Sequence, residues 1–171
     1  SATLSQRVME LAYEHMNEPE LIRIEPDKVT ADRVRQAIFY PANEDKLPLL
    51  VGLVKEIGEV RIMIFVNMKR EAERVQDVLE ANGIHAAAIS GDVPQKKRLS
   101  LLRKFQNGEL PVLVATDVAA RGLDVERISL VINYDIPHDT EAYVHRIGRT
   151  GRAGREGDAI LFVAPRERRM L

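Results

Sequence analysis

Between Val60 and Val163 short apolar runs alternate with amphipathic stretches, and this alternation constrains the fold more than any other feature of the chain. The first run, V-R-I-M-I-F-V at Val60 to Val66, is nearly all apolar, the pattern of a strand covered on both faces. Such strands belong to parallel sheets, and parallel neighbours must be joined by a crossover, usually a helix. The spacing predicts helix Lys69 to Ala81, with Asn82-Gly83 as its stop, then strand Ile84 to Ile89. Helix Pro94 to Phe105, stopped near Asn107-Gly108, leads to strand Val112 to Ala115. A turn of helix at Val118 to Ala120 precedes strand Leu130 to Asn133, and helix Thr140 to Arg146 precedes strand Ala159 to Val163. Pro165 to Leu171 opens another helix.

Upstream, apolar residues at Leu4, Val8, Leu11, Ala12 and Met16 have helical spacing that Pro19 ends, and Leu21 to Ile24 and Val34 to Tyr40 alternate like strands. Asn43 to Ile57 is an amphipathic helix, with Asn43 as its cap and Gly58 as its stop. Short loops and right-handed crossovers then require an α/β domain, a mostly parallel sheet with helices on both faces. Ligands bind such sheets beyond the carboxyl ends of the strands. No internal repeat, low-complexity tract or second domain interrupts residues 1–171.

Composition narrows the partners. With 25 Lys+Arg against 26 Asp+Glu the net charge is -1, so any polyanion site must be local. There is no cysteine, which removes disulfides and thiolate metal ligands, and His15, His85, His138 and His145 are too scattered for a metal site. No apolar run reaches the roughly 18 residues of a membrane span and no signal segment opens the chain, so a cytoplasmic protein is expected. A start at Ser1 without methionine suggests a piece of something longer.

Unusual residues collect at the strand ends. Y-V-H-R-I-G-R-T-G-R-A-G-R at Tyr143 to Arg155 sets Arg146, Arg149, Arg152 and Arg155 every third residue, with Gly148, Gly151 and Gly154 between them. Arginine presents forked, permanent charge that matches phosphate oxygens in pairs, and glycine allows close backbone approach. Together they read as a phosphate-binding edge; a solvated basic loop is the bland alternative. In S-G-D-V-P-Q-K-K-R, Ser90 to Arg98, Gly91 can offer its N–H to phosphate, and Gln95 and Arg98 lie near a helix start that favours anions. An exposed helical face would account for that wording equally. A-T-D-V-A-A-R-G-L-D, Ala115 to Asp124, places Thr116 and Asp117 at the end of a buried strand, and Asp124 can accept from a ribose hydroxyl pair.

Taken together these residues resemble the second RecA-like domain of the DEAD-box ATP-dependent RNA helicases, and the resemblance spans essentially the whole chain. Ser1-Ala2-Thr3 is similar to the S-A-T segment that closes the family's first domain, Ile62 to Asn67 to its I-I-F-x-N strand, and Gln95 to Arg98 to its Q-x-x-R. Ala115 to Asp124 matches A-T-D-x-A-A-R-G-L-D, Val131 to Asp135 matches V-I-N-Y-D, and His145 to Arg152 matches H-R-I-G-R-T-G-R. F-Y-P-A-N-E-D-K and G-D-V-P-Q-K-K-R-L look most like the degradosome-associated bacterial branch, which implies an endoribonuclease scaffold as a partner.

The resemblance implies a three-layer RecA-like domain that acts with a missing N-terminal RecA-like domain. Arg149 and Arg152 would reach the γ-phosphate of ATP held on that domain, and Gly122 and Asp124 would contact the nucleotide from this side. Gly91, Arg98 and Thr116 would hold RNA phosphates without sequence specificity, and Ser1, Thr3 and His145 would couple hydrolysis to domain closure. Met68 stands where many members have threonine, so one hydroxyl contact to RNA is expected to be missing. The chain has no G-x-x-x-x-G-K-[ST] phosphate loop and no D-E-A-D, so Mg and the ATP phosphates are expected on the first domain and this chain alone is expected to be inactive. A non-catalytic module that binds RNA or docks on a degradosome scaffold is the alternative.

Overall fold

The computed structural model describes residue 10 and residues 20–21, 34–58, 60–121, 123, 125, 128–151 and 157–170. Seven strands form one sheet: β1 (Glu20–Leu21), β2 (Val34–Phe39), β3 (Ile62–Phe65), β4 (Ala86–Ile89), β5 (Val112–Ala115), β6 (Leu130–Asn133) and β7 (Gly157–Phe162). Their order is β1-β2-β7-β6-β3-β5-β4. Short β1 pairs antiparallel with β2 at one edge, and every other pairing is parallel. The mostly parallel sheet follows from the near-continuous apolar strands, each of which must be covered on both sides.

Side-chain alternation divides the core in two. Ile62 and Ile64 of β3 join Val112, Val114, Leu130 and Ile132 in one apolar cluster; Met63 and Phe65 join Leu113, Ala115 and Val131 in another. The first is closed by helices α1 (Lys46–Ile57) and α2 (Lys69–Ala81), through Leu50, Leu53, Val75 and Leu79. The second is closed by α3 (Gln95–Gln106), α4 (Asp117–Ala120) and α5 (Thr140–Ile147), through Phe105, Ala119, Ala120 and Ile147. The result is the expected three-layer α/β arrangement.

Several element boundaries differ from the sequence expectation. Asn43 does not cap a helix: Asn43–Asp45 is a 3-10 turn, and α1 begins at Lys46 with no side-chain cap. Pro48 accounts for this, since an α-helix begun at Asn43 would need an N–H at Pro48 to reach the carbonyl of Glu44. Gly58, with φ 81, ends α1 in the left-handed region where glycine is favoured. Strand β4 starts at Ala86 rather than Ile84, because the Ile84 N–H closes the end of α2 on Leu79 O, 2.9 Å away. Pro165–Met170 is a 3-10 turn, not an α-helix.

Register sets the rim. Phe65 of β3 stands beside Ala115 of β5 and Asn133 of β6, and Ile89 of β4 stands beside Ala115. The loops that follow these four strands therefore leave the sheet at one level. From β3 the chain runs through β4 to β5 on one flank and then crosses to β6 on the other, so the crevice outside β3 is the switch point where parallel sheets bind ligands.

Candidate functional site

A buried arginine ties the rim loops together. Arg146, in the last turn of α5, is 1% exposed and belongs to the helix rather than to the loop beyond it. Its Nε and Nη2 donate to the two carboxylate oxygens of Asp117 at 2.8 and 2.7 Å, the bidentate fork that suits a guanidinium. Nη2 also donates to Asn67 Oδ1 and Nη1 to the carbonyl of Asp135, both at 2.7 Å, and the cation lies 5.3 Å from the Phe65 ring centre. The ends of β3, β5 and β6 thus meet on one side chain. Asp135 extends the lattice: Oδ2 accepts from the Asn67 N–H at 2.9 Å and Oδ1 from Lys46 Nζ at 3.2 Å. Asn67 Nδ2 donates to Ile136 O at 2.9 Å, which leaves no idle polar group on its side chain.

The evenly spaced arginines are consequently not one array. Helix α5 ends at Ile147, so Arg146 turns inward as a structural cation, while Arg149 stands beyond the helix. The Arg149 guanidinium donates to Ala120 O at 2.9 Å and to Leu123 O, which fixes it against the loop that leaves β5. Thr150 is buried; its hydroxyl donates to Ile128 O at 2.6 Å, and Ile128 and Thr150 form an isolated parallel bridge. Gly151 then adopts φ 68, a conformation that favours glycine. Arg152, Gly122, Asp124, Ser1 and Thr3 lie outside the described residues.

Gly157, the first residue of β7, presses against this turn. A Cβ there would lie 2.5 Å from Gly151 N and 2.8 Å from Thr150 Cγ2, and would overlap Thr150 Oγ1. Gly157→Ala is therefore expected to cost about 1–3 kcal/mol, as forced overpacking does, read as a lower urea midpoint with an unchanged slope. Gly91→Ala is the control: nothing lies within 4 Å of its added carbon, and its midpoint should not move.

The residues expected to face RNA occupy the neighbouring part of the rim. Gly91 is exposed after β4, and Arg98 reaches back from α3 to donate to Ser90 O at 3.1 Å. Arg98 Nε is buried without a hydrogen-bond partner among the described residues. Thr116 Oγ1 accepts from the Ala119 N–H at 3.3 Å and so caps α4, a role the motif reading did not assign. The cap uses an acceptor lone pair and leaves the hydroxyl proton available to a phosphate oxygen. Met68 is 52% exposed beside them and offers no such donor. His145 is also exposed, 3.7 Å from Glu141 one turn earlier.

Sequence reasoning quotes Lys46, Asn67 and Asp135 at the ends of three motifs but assigns none of them a role in the site. The available signal was an uncompensated Asn or Asp directly after a buried strand, which implies a buried partner. Tyr143 was missed too: its hydroxyl donates to Gln36 Oε1 at 2.5 Å, and burial pushes the phenol well above its ordinary range, so it remains a neutral donor. Among the described residues no group of three or more His, Cys, Asp or Glu is placed to hold a metal, and no helix is long and apolar enough to cross a membrane. Among the described rim carboxylates, Asp117 and Asp135 do not suit magnesium, because they are already paired with Arg146, Lys46 and the Asn67 N–H.

Known proteins resemble this chain in sequence and fold. Residues 45–154 match the model of the helicase conserved C-terminal domain. The chain is 58% identical over 166 residues to the ATP-dependent RNA helicase RhlB of Xanthomonas axonopodis pv. citri, covering 97% of this chain and 29% of that protein. It spans about a third of the length of the curated relatives it matches. A DEAD box protein from Methanococcus jannaschii superposes with a TM-score of 0.74 at 32% identity, over 96% of this chain and 44% of that one. Dbp5 of S. cerevisiae, solved bound to RNA and ADP BeF3, superposes with a TM-score of 0.68 at 34% identity, over 77% of this chain and 35% of that one. A family model over residues 45–154, near-complete coverage by RhlB and a shared fold place this chain in the helicase conserved C-terminal domain family, as the C-terminal RecA-like domain of a DEAD-box RNA helicase.

Proposed function

We propose that this domain is one half of an ATP-driven RNA helicase. It contributes Arg149 and Arg152 to the terminal phosphate of ATP on a preceding RecA-like domain, and grips RNA by its backbone. The observation that carries the reading is the seat of Arg149, whose fork is held by Ala120 O and Leu123 O on the loop leaving β5. Two fixed acceptors orient the guanidinium before any ligand arrives. Phosphoryl transfer to water needs little covalent help from the protein; it needs preplaced positive charge on the transferred group.

Gly122 and Asp124 flank Leu123 in sequence, so they contact the nucleotide from the same loop, Asp124 at the ribose. Gly91, Arg98 and Thr116 take RNA phosphates at the adjoining strand ends, which gives little base specificity. Exposed His145, with Ser1 and Thr3, couples the two domains. Closure around one strand bends it out of duplex geometry, so that ATP drives local unpairing and hydrolysis permits release. Magnesium and the phosphate loop belong to the preceding domain; of the described rim carboxylates, Asp117 and Asp135 are already paired with cations.

The test compares the 171-residue chain with the same chain joined to its upstream domain, measuring ATP hydrolysis with and without RNA. RNA-stimulated turnover is expected only from the joined protein. Robust stimulated turnover by the isolated chain would falsify the division of labour. Unchanged RNA binding by a joined protein that never hydrolyses ATP would favour a module that only binds RNA or docks on a scaffold.

A further inference from the structure

We infer that Lys46, the last residue of the F-Y-P-A-N-E-D-K stretch and one to which the resemblance gives no role, is a positioning residue for the arginine turn; this rests on the function proposed above. Lys46 opens α1 and is 7% exposed, unusual for a residue whose charge normally stays in water. Its Nζ is 3.2 Å from Asp135 Oδ1, 3.9 Å from Glu167 Oε1 and 4.5 Å from the centre of the Tyr134 ring. A buried ammonium persists only where an opposite charge compensates its lost hydration, and here Asp135 does so most closely.

Asp135 is the carboxylate that faces the Arg146 lattice. Its Oδ2 accepts from the Asn67 N–H and its carbonyl from Arg146 Nη1, while Arg146 Nη2 returns to Asn67 Oδ1. Lys46 and Arg146 balance Asp135 and Asp117, with Glu167 at the edge. Without Lys46, Asp135 becomes a second carboxylate with Arg146 as its nearest cation. The guanidinium, now shared, is drawn from its bidentate seat on Asp117. Arg146 closes α5 and Arg149 follows three residues later, so a shift of the first carries the second off its seat on Ala120 O and Leu123 O.

In the two-domain protein, Lys46→Met is expected to lower the kcat of RNA-stimulated ATP hydrolysis by between about tenfold and a hundredfold, the scale of an ångström misplacement. KM for ATP and RNA affinity should stay within about twofold. Lys46→Arg, which keeps the charge, should retain most of kcat. Adding Asp135→Asn to Lys46→Met removes the stray carboxylate and should restore part of kcat. Rates are taken per folded molecule, with the folded fraction from thermal denaturation, so lost stability alone cannot imitate the effect. An unchanged kcat for Lys46→Met, in a protein that Arg149→Ala inactivates, overturns the inference and leaves the proposed function standing. A loss that Asp135→Asn does not relieve overturns it as well. If Arg149→Ala is itself fully active, the functional reading fails and this inference falls with it.

Discussion

Arg146→Met is expected to destabilise the domain by about 3–5 kcal/mol, the usual cost of removing one partner of a buried ion pair. Four hydrogen bonds from the guanidinium join Asp117, Asn67 and Asp135, and a methionine side chain replaces none of them. Methionine does fill the volume, so the loss is not a cavity effect. It arises from Asp117, Asn67 Oδ1 and Asp135 O losing their donor together at a rim where each is only partly exposed, so that water replaces it incompletely. For a domain of this size that loss lowers Tm by roughly 10 °C, and urea unfolding should show a lower midpoint with unchanged slope. Adding Asp117→Leu removes the orphaned charge, so the double variant should be more stable than Arg146→Met alone. A change below about 1 kcal/mol for Arg146→Met would remove Arg146 from its place as the post that holds the rim loops.

The contrast between Arg146 and its neighbours marks where the sequence was readable and where it was not. Buried parallel strands announce themselves by hydrophobicity, so Val112–Ala115 and Leu130–Asn133, and helix Lys69–Ala81 between glycine and polar signals, lie where periodicity puts them. Boundaries slipped where a local hydrogen bond competed with the pattern, as at Ile84, whose N–H closes α2, and at Asn43, displaced by Pro48. The gathering of functional residues at strand ends was also legible, since it follows from topology. Their division of labour was not. A three-residue repeat looks uniform in one dimension, yet the end of α5 at Ile147 sends Arg146 inward and leaves Arg149 beyond the helix. Lys46 was hidden for a related reason: a lysine at the start of an amphipathic helix reads as a solvated face, and its closest partner, Asp135, lies 89 residues away.

Arg149→Ala in the two-domain protein is expected to lower RNA-stimulated ATP hydrolysis by about 10³–10⁵, the contribution of an arginine placed on the transferred phosphoryl group, while RNA affinity changes little. The size of the effect follows from what the residue does not do for the fold. Arg149 is half-buried and gives neutral backbone carbonyls two hydrogen bonds, whereas Arg146 is fully buried and neutralises a carboxylate. Stability should therefore fall far less than for Arg146→Met, and the two variants separate by phenotype: one mainly unfolds, the other folds and does not turn over. Arg149→Lys should recover little, because a point charge cannot reproduce a fork fixed by two acceptors while still reaching a phosphate. The rate effect should appear in kcat rather than in KM for ATP, as charge neutralisation matters most where charge develops. Full hydrolysis by Arg149→Ala with a parallel loss of RNA binding would transfer the arginine from nucleotide to RNA and leave the domain a passive grip.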